Sequence, residues 1–143
     1  GLRLLSAGSN ATNAENHVMV QALVPAPDLT SARVDASETE TGTSEDWQLF
    51  SNPLCADPPP GLQRVAASTV TDSEEFKTIS ATCPATKHLV GVGAAVTGGA
   101  GQVIIDDMAP NAELTTATAT AFEDRTGYAG SWRLSAYGVC VTR

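Results

Sequence analysis

The chain has 143 residues, a formal net charge of −8 and a mean hydropathy of −0.04. Hydrophobic residues make up 42% and charged residues 17%, a composition that supports a packed core and argues against disorder. The eight basic residues are scattered, so they form no basic face for phosphates, and we expect no nucleic acid partner. No apolar run approaches the roughly 18 residues needed to cross a bilayer, so we expect no membrane insertion.

The sequence repeats itself with an offset of 85 residues and without gaps. About fifteen residues are identical over roughly 55 aligned positions, which is several times the chance level. The identities include Leu4 with Leu89, Gly8 with Gly93, Leu29 with Leu114, Glu38 with Glu123, Trp47 with Trp132 and Cys55 with Cys140.

The repeat predicts two copies of one structural unit. Residues 1–56 form a diverged, N-terminally incomplete first repeat, and residues 57–143 form a second repeat with two extra N-terminal strands. Two separate domains and one pseudo-symmetric body are both compatible with this division. The aligned tryptophans, Trp47 and Trp132, favour one body in which they act as paired core anchors.

Taken in chain order, the elements are predicted to be short strands. Residues 14–23 could be helical on propensity alone, but their counterpart is a β-branched run after a glycine-rich turn, so we predict a strand in both. Residues 29–38 and 114–122 alternate small apolar and polar side chains, the period of a strand with one solvated face. In the next element Pro53 indicates an edge or a bulge. Residues 62–71 and 76–83 add two strands between the repeats.

These short strands, separated by turn residues, predict an all-β fold. The expected architecture is an antiparallel sandwich, prism or barrel built from two duplicated units of about four to six strands each.

Three cysteines leave one without an intramolecular partner. Cys83 precedes the first strand of the aligned part of the second repeat and Cys140 ends its last strand, so these two are the predicted disulfide. Cys55 aligns with Cys140, but the counterpart of Cys83 would lie just upstream of Gly1. Three interpretations of Cys55 stay open: a partner lost by truncation, a disulfide to another chain in self-association, or a buried free thiol.

Neither a catalytic site nor a cofactor or metal site is predicted. Gly91 and Gly93 suggest a dinucleotide loop, but no helix follows them, so we interpret them as positions where strands approach closely. Asp106 and Asp107 are interpreted as a solvated strand end rather than a calcium site, because no spaced acidic loop is present. The two histidines do not align across the repeat, and no nucleophile motif accompanies them. We therefore expect a protein that is not an enzyme.

One pattern of residues resembles a known repeat: Cys83-Pro84, Lys87, Gly91-x-Gly93-Ala94, Trp132 and Ala136-Tyr137-x-x-Cys140. It is similar to a repeat unit of uncharacterised secreted proteins of actinobacteria and of bacterial and phage surface proteins. The resemblance covers residues 62–143 well and residues 2–55 as a more diverged copy. It implies a modular exported β unit and brings no established chemistry, so no functional residue is carried over.

The expected function is that of a secreted, non-catalytic structural or adhesive β module in a surface protein or assembly. Its partner is expected to be a protein assembly or a cell-surface polysaccharide. The alternative is a carbohydrate-binding module in which Tyr128 and Tyr137 stack on sugar rings.

Overall fold

The computed structural model describes residues 1–99 and 101–142, which form ten β-strands. The strands are β1 (Arg3–Thr12), β2 (Val18–Pro25), β3 (Ala32–Glu38), β4 (Gln48–Ala56), β5 (Gln63–Ser68), β6 (Phe76–Thr82), β7 (Lys87–Thr97), β8 (Val103–Pro110), β9 (Thr116–Glu123) and β10 (Arg133–Thr142). The predicted all-β class is confirmed. Ala100, which belongs to the glycine-rich stretch of the sequence, and Arg143 lie outside the described residues. Within the described ranges, no helix has the length and apolar character needed to span a membrane.

The strands form three antiparallel sheets that pack as layers. The middle sheet has the order β3-β2-β7-β10-β5, and the outer sheets are β1-β4 and β6-β9-β8. The middle sheet takes strands from both sequence repeats, and they meet where Ala22 and Leu23 of β2 pair with Ala95 and Ala94 of β7. Packed antiparallel sheets of this kind are the arrangement of a β-sandwich.

The main core lies between the β7-β10-β5 part of the middle sheet and the β6-β9-β8 sheet. The inward alanines of β9 confirm the period of two, because Ala117, Ala119 and Ala121 are all buried. Their small side chains leave room for Trp132 and Leu134, which are fully buried between the sheets. The core therefore combines a few large residues with many small ones, so that the two sheets interdigitate.

The other face of β7 is where the first repeat packs, and two glycines make this possible. A Cβ atom on Gly91 would lie 2.2 Å from the carbonyl oxygen of Leu5, and one on Gly93 would lie 2.3 Å from that of Leu23. Side chains are not tolerated at such distances. This confirms the interpretation of close strand approach over that of a dinucleotide loop.

Local geometry recurs at the 85-residue offset. The bounds of β2 and β8 differ by that offset at both ends. The bulge at Gln21 in the pairing of β2 with β3 recurs at Asp106 in the pairing of β8 with β9. Leu29 has a backbone φ of 54° and its counterpart Leu114 a φ of 53°, values that residues other than glycine rarely adopt. Aligned segments of the two sequence repeats thus share these local features.

Candidate functional site

The second repeat is closed on both of its layers by its two extra N-terminal strands, β5 and β6. β10 lies between β7 and β5, and β9 lies between β8 and β6. The side chain of Lys87 donates to the carbonyl of Gly61 and to the side chain of Gln63, which fastens the start of β5 to β7. β9 and β10 thus each have a hydrogen-bonded neighbour on both sides.

The predicted disulfide between Cys83 and Cys140 is confirmed. The two Cα atoms are 5.9 Å apart, and both cysteines are buried against Leu89 and Ala117. Cys83 follows directly after β6, and its N–H donates to the carbonyl of Thr115 at 2.8 Å. The bond therefore ties the end of β6 to β10 in the opposite layer. A buried disulfide fits a protein from an oxidising, extracellular environment.

Lys77, which was not predicted from the sequence as a site residue, connects the start of β6 to neighbouring segments by hydrogen bonds. Its ammonium is buried and donates to the carbonyl of Trp132 at 2.8 Å, to that of Val70 at 3.3 Å and to the carboxylate of Asp72. It also lies 4.6 Å from the centroid of the Trp132 ring, within range of a cation–π interaction. The Lys77 side chain lowers the pKa of the partly exposed Asp72 carboxyl by hydrogen bonding to it. The signal available in the sequence was a lysine at an inward position of an alternating strand.

The first repeat lacks the corresponding neighbours and is open. β3 and β4, the counterparts of β9 and β10, are edge strands in the part of the chain that the structure describes. Cys55 is an exposed free thiol, whereas its counterpart Cys140 is fully buried. The interpretation of Cys55 as a buried thiol is therefore wrong. Trp47 is only half-buried and does not join the cluster around Trp132, so the expected pairing of the tryptophans as core anchors is also wrong.

Large apolar side chains on β4 are exposed to solvent. Phe50 is 45% exposed and Leu54 is 61% exposed, whereas their counterparts on β10, Ser135 and Val139, are 3% and 1% exposed. Val139 is covered by Leu4 of the first repeat. β4 therefore lacks the cover on its outer face as well as the neighbour at its edge.

This openness does not come from a loss of local structure. The indole N–H of Trp47 donates to Glu38 Oε1 at 2.9 Å, and that of Trp132 donates to Glu123 Oε1 at the same distance. β4 pairs with β1 along its whole length, as β10 pairs with β7. The first repeat thus has the framework of the second, and what differs is the presence of neighbouring strands.

The two tyrosines predicted as stacking residues lie in different environments. Tyr128 packs against the main core, and its N–H donates to the carboxylate of Glu123 at 2.8 Å. Tyr137 lies half-buried on the face of β10 that points away from that core, with the guanidinium carbon of Arg64 4.7 Å from its ring centroid. The structure does not bring these two rings together into one platform.

No group of three or more histidine, cysteine, aspartate and glutamate side chains is placed to hold a metal ion among residues 1–99 and 101–142. Comparisons of the chain with protein-family models, with curated proteins and with solved structures give no match in any of the three.

Proposed function

We propose that the protein is an extracellular, non-catalytic structural module that joins a larger assembly through the open edges of its first repeat. The observation that carries the proposal is the asymmetry between the repeats, since within residues 1–99 and 101–142 β3 and β4 lack the neighbours that β9 and β10 have. The acidic net charge and the disulfide support an extracellular setting.

The composition of β4 supports a pairing role for its edge. Proteins usually protect edge strands with charged side chains, prolines or bulges, because a bare edge recruits other strands. β4 carries no charged residue along Gln48–Ala56, and Pro53 removes only one N–H from it. Together with the exposed Phe50 and Leu54, this gives a strand suited to contact with another polypeptide.

The test is light scattering on a sizing column over a range of protein concentrations, under reducing conditions that keep Cys55 from contributing. We expect reversible association of the isolated module, because an open edge pairs with a second copy when its own partner is missing. The Phe50→Lys, Leu54→Lys double variant should be monomeric, since charge on an edge strand opposes pairing.

The matched control is Val70→Lys, which changes a residue that is 73% exposed and lies outside the strands. This variant should associate like the parent protein. A parent that stays monomeric at every concentration, or a control that loses association as fully as the double variant, would contradict the proposal.

A second candidate function is carbohydrate binding, and a different surface favours it. On the outer face of the β6-β9-β8 sheet Phe76 pairs across the strands with Phe122, and Phe76 is 59% exposed. Next to them lie cross-strand rows of hydroxyl groups, including Ser80 and Thr118 at 2.8 Å. A flat face with aromatic rings at one end and hydroxyls along it suits stacking and hydrogen bonding to sugars.

Retention on insoluble cellulose and chitin tests this candidate. The parent protein should be retained, and the Phe76→Ala variant should not be. The Tyr128→Ala, Tyr137→Ala double variant tests the stacking residues that were predicted from the sequence. No retention of the parent on either polysaccharide would exclude the candidate.

A further inference from the structure

In the second repeat, one segment supplies the neighbouring strands for both layers. The segment of residues 63–83 supplies a strand to β10, a strand to β9 and a cysteine that reaches Cys140. β5 pairs with β10 between Ser68 and Gln63, and β6 pairs with β9 along its whole length. The two strands of this segment pair with different sheets and not with each other, so a single two-stranded segment with a cysteine after its second strand closes both layers at once.

The first repeat presents the matching acceptor positions. Cys55 occupies the register position on β4 that Cys140 occupies on β10. Thr30 is the counterpart of Thr115, whose carbonyl receives the N–H of Cys83, and Thr30 is exposed. In the second repeat the counterparts of the β3 and β4 edges, of Cys55 and of the half-buried Trp47 are contacted by residues 63–83.

We infer that the open side of the first repeat binds a two-stranded β segment from outside residues 1–143, whose cysteine forms a disulfide with Cys55. This inference rests on the proposed function and names the partner of the same site. The partner has the chemistry of residues 63–83: two short strands that pair with different layers, mainly apolar inward side chains such as those of Val65 and Ala81, and one cysteine after the second strand.

A second copy of residues 1–143 does not supply that two-stranded segment without opening its own second repeat. Its own β5 and β6 are already paired with β10 and β9, and its Cys83 is already in a disulfide. Moving the segment to another chain would open one repeat in order to close another. The partner is therefore a polypeptide segment whose two strands and cysteine are not already paired, and main-chain hydrogen bonds along the edges supply much of its binding energy.

The covalent step is thiol–disulfide exchange with a small-molecule disulfide such as oxidised glutathione. The Cys55 thiolate attacks one sulfur of the glutathione disulfide, which forms a mixed disulfide and releases one reduced glutathione as its thiolate. The thiolate of the partner cysteine then attacks the Cys55 sulfur and releases the second glutathione. Two protein thiols are oxidised, one glutathione disulfide is reduced to two thiols, and the two thiol protons pass to the released thiolates.

The experiment uses the full chain and a synthetic peptide of residues 62–84 as the probe, in a glutathione redox buffer. We expect a protein–peptide disulfide that maps to Cys55 and forms at least about tenfold faster than with a scrambled peptide that keeps its cysteine, because pairing raises the effective concentration of the thiol. The Cys55→Ser protein should form no such adduct.

A Cys83→Ser peptide separates strand pairing from disulfide formation. It should protect the amides of β4 from hydrogen exchange without forming an adduct, and the scrambled peptide should not. Protection without faster adduct formation would overturn the cysteine assignment and leave the proposed function standing. Equal rates for the ordered and scrambled peptides without protection would overturn the inference, and the association test under Proposed function then decides that function separately.

Discussion

Replacing matched leucines in the two repeats tests the asymmetry of their cores. Leu134 is fully buried on β10, and its counterpart Leu49 on β4 is only half-buried. The neighbours of Leu134 include Ala94, Ala119 and Trp132, which are held by paired strands and cannot move inward to fill a gap. Removing three carbons at Leu134 therefore leaves a cavity, whereas water reaches the same space at Leu49.

The expected cost of Leu134→Ala is about 4 kcal/mol, in the upper part of the range for buried leucines whose surroundings do not relax. Leu49→Ala should cost about 1 kcal/mol, because only part of its apolar surface leaves water on folding. Urea unfolding followed by tryptophan fluorescence measures both. With a typical m-value for a domain of this size, the midpoint should fall by about 2 M for Leu134→Ala and by about 0.5 M for Leu49→Ala.

The control for this comparison is the m-value, which should be the same in both variants if each unfolds in one transition from the same native state. Equal losses of stability in the two variants would refute the reasoning, since they would mean that β4 is as well covered as β10.

Three further predictions follow from individual contacts. Gly91→Ala should lower the melting temperature by several degrees or prevent folding, because the new methyl group would overlap a carbonyl oxygen of β1, and thermal unfolding measures this. The Cys83→Ala, Cys140→Ala double variant should lose about 4 kcal/mol of stability, since the bond closes a loop with a sequence separation of 57, and denaturant titration against the oxidised parent checks it. The pKa of Asp72 is lowered from 3.8 by its hydrogen bond to Lys77, so its contribution is complete above about pH 3.8 and is lost as the pH falls through the lower folded value. Asp72→Asn should therefore show a smaller decrease in melting temperature between pH 5 and pH 2 than the parent, and equal slopes would contradict this role.

Much of the fold follows from local patterns in the sequence. Alternation of alanine with threonine specifies β9 because successive side chains of a strand point to opposite faces, whatever the strand pairs with. The offset of 85 residues predicts a strand at β2, where propensity alone allows a helix. The positions of Cys83 and Cys140 relative to the strands predicted their disulfide, because both features can be read along the chain.

Which residues of the candidate site are exposed and which are buried was decided only by tertiary structure. Cys55 and Cys140 align in sequence and have the same register on their strands, yet one is exposed and the other is buried. Lys77 likewise becomes buried only because the start of β10 supplies the carbonyl and the ring of Trp132. Burial depends on which strands lie alongside, and those contacts join residues far apart in the chain. The pattern along the chain therefore determined where the strands lie, whereas the neighbouring strands determined which of their surfaces stay open.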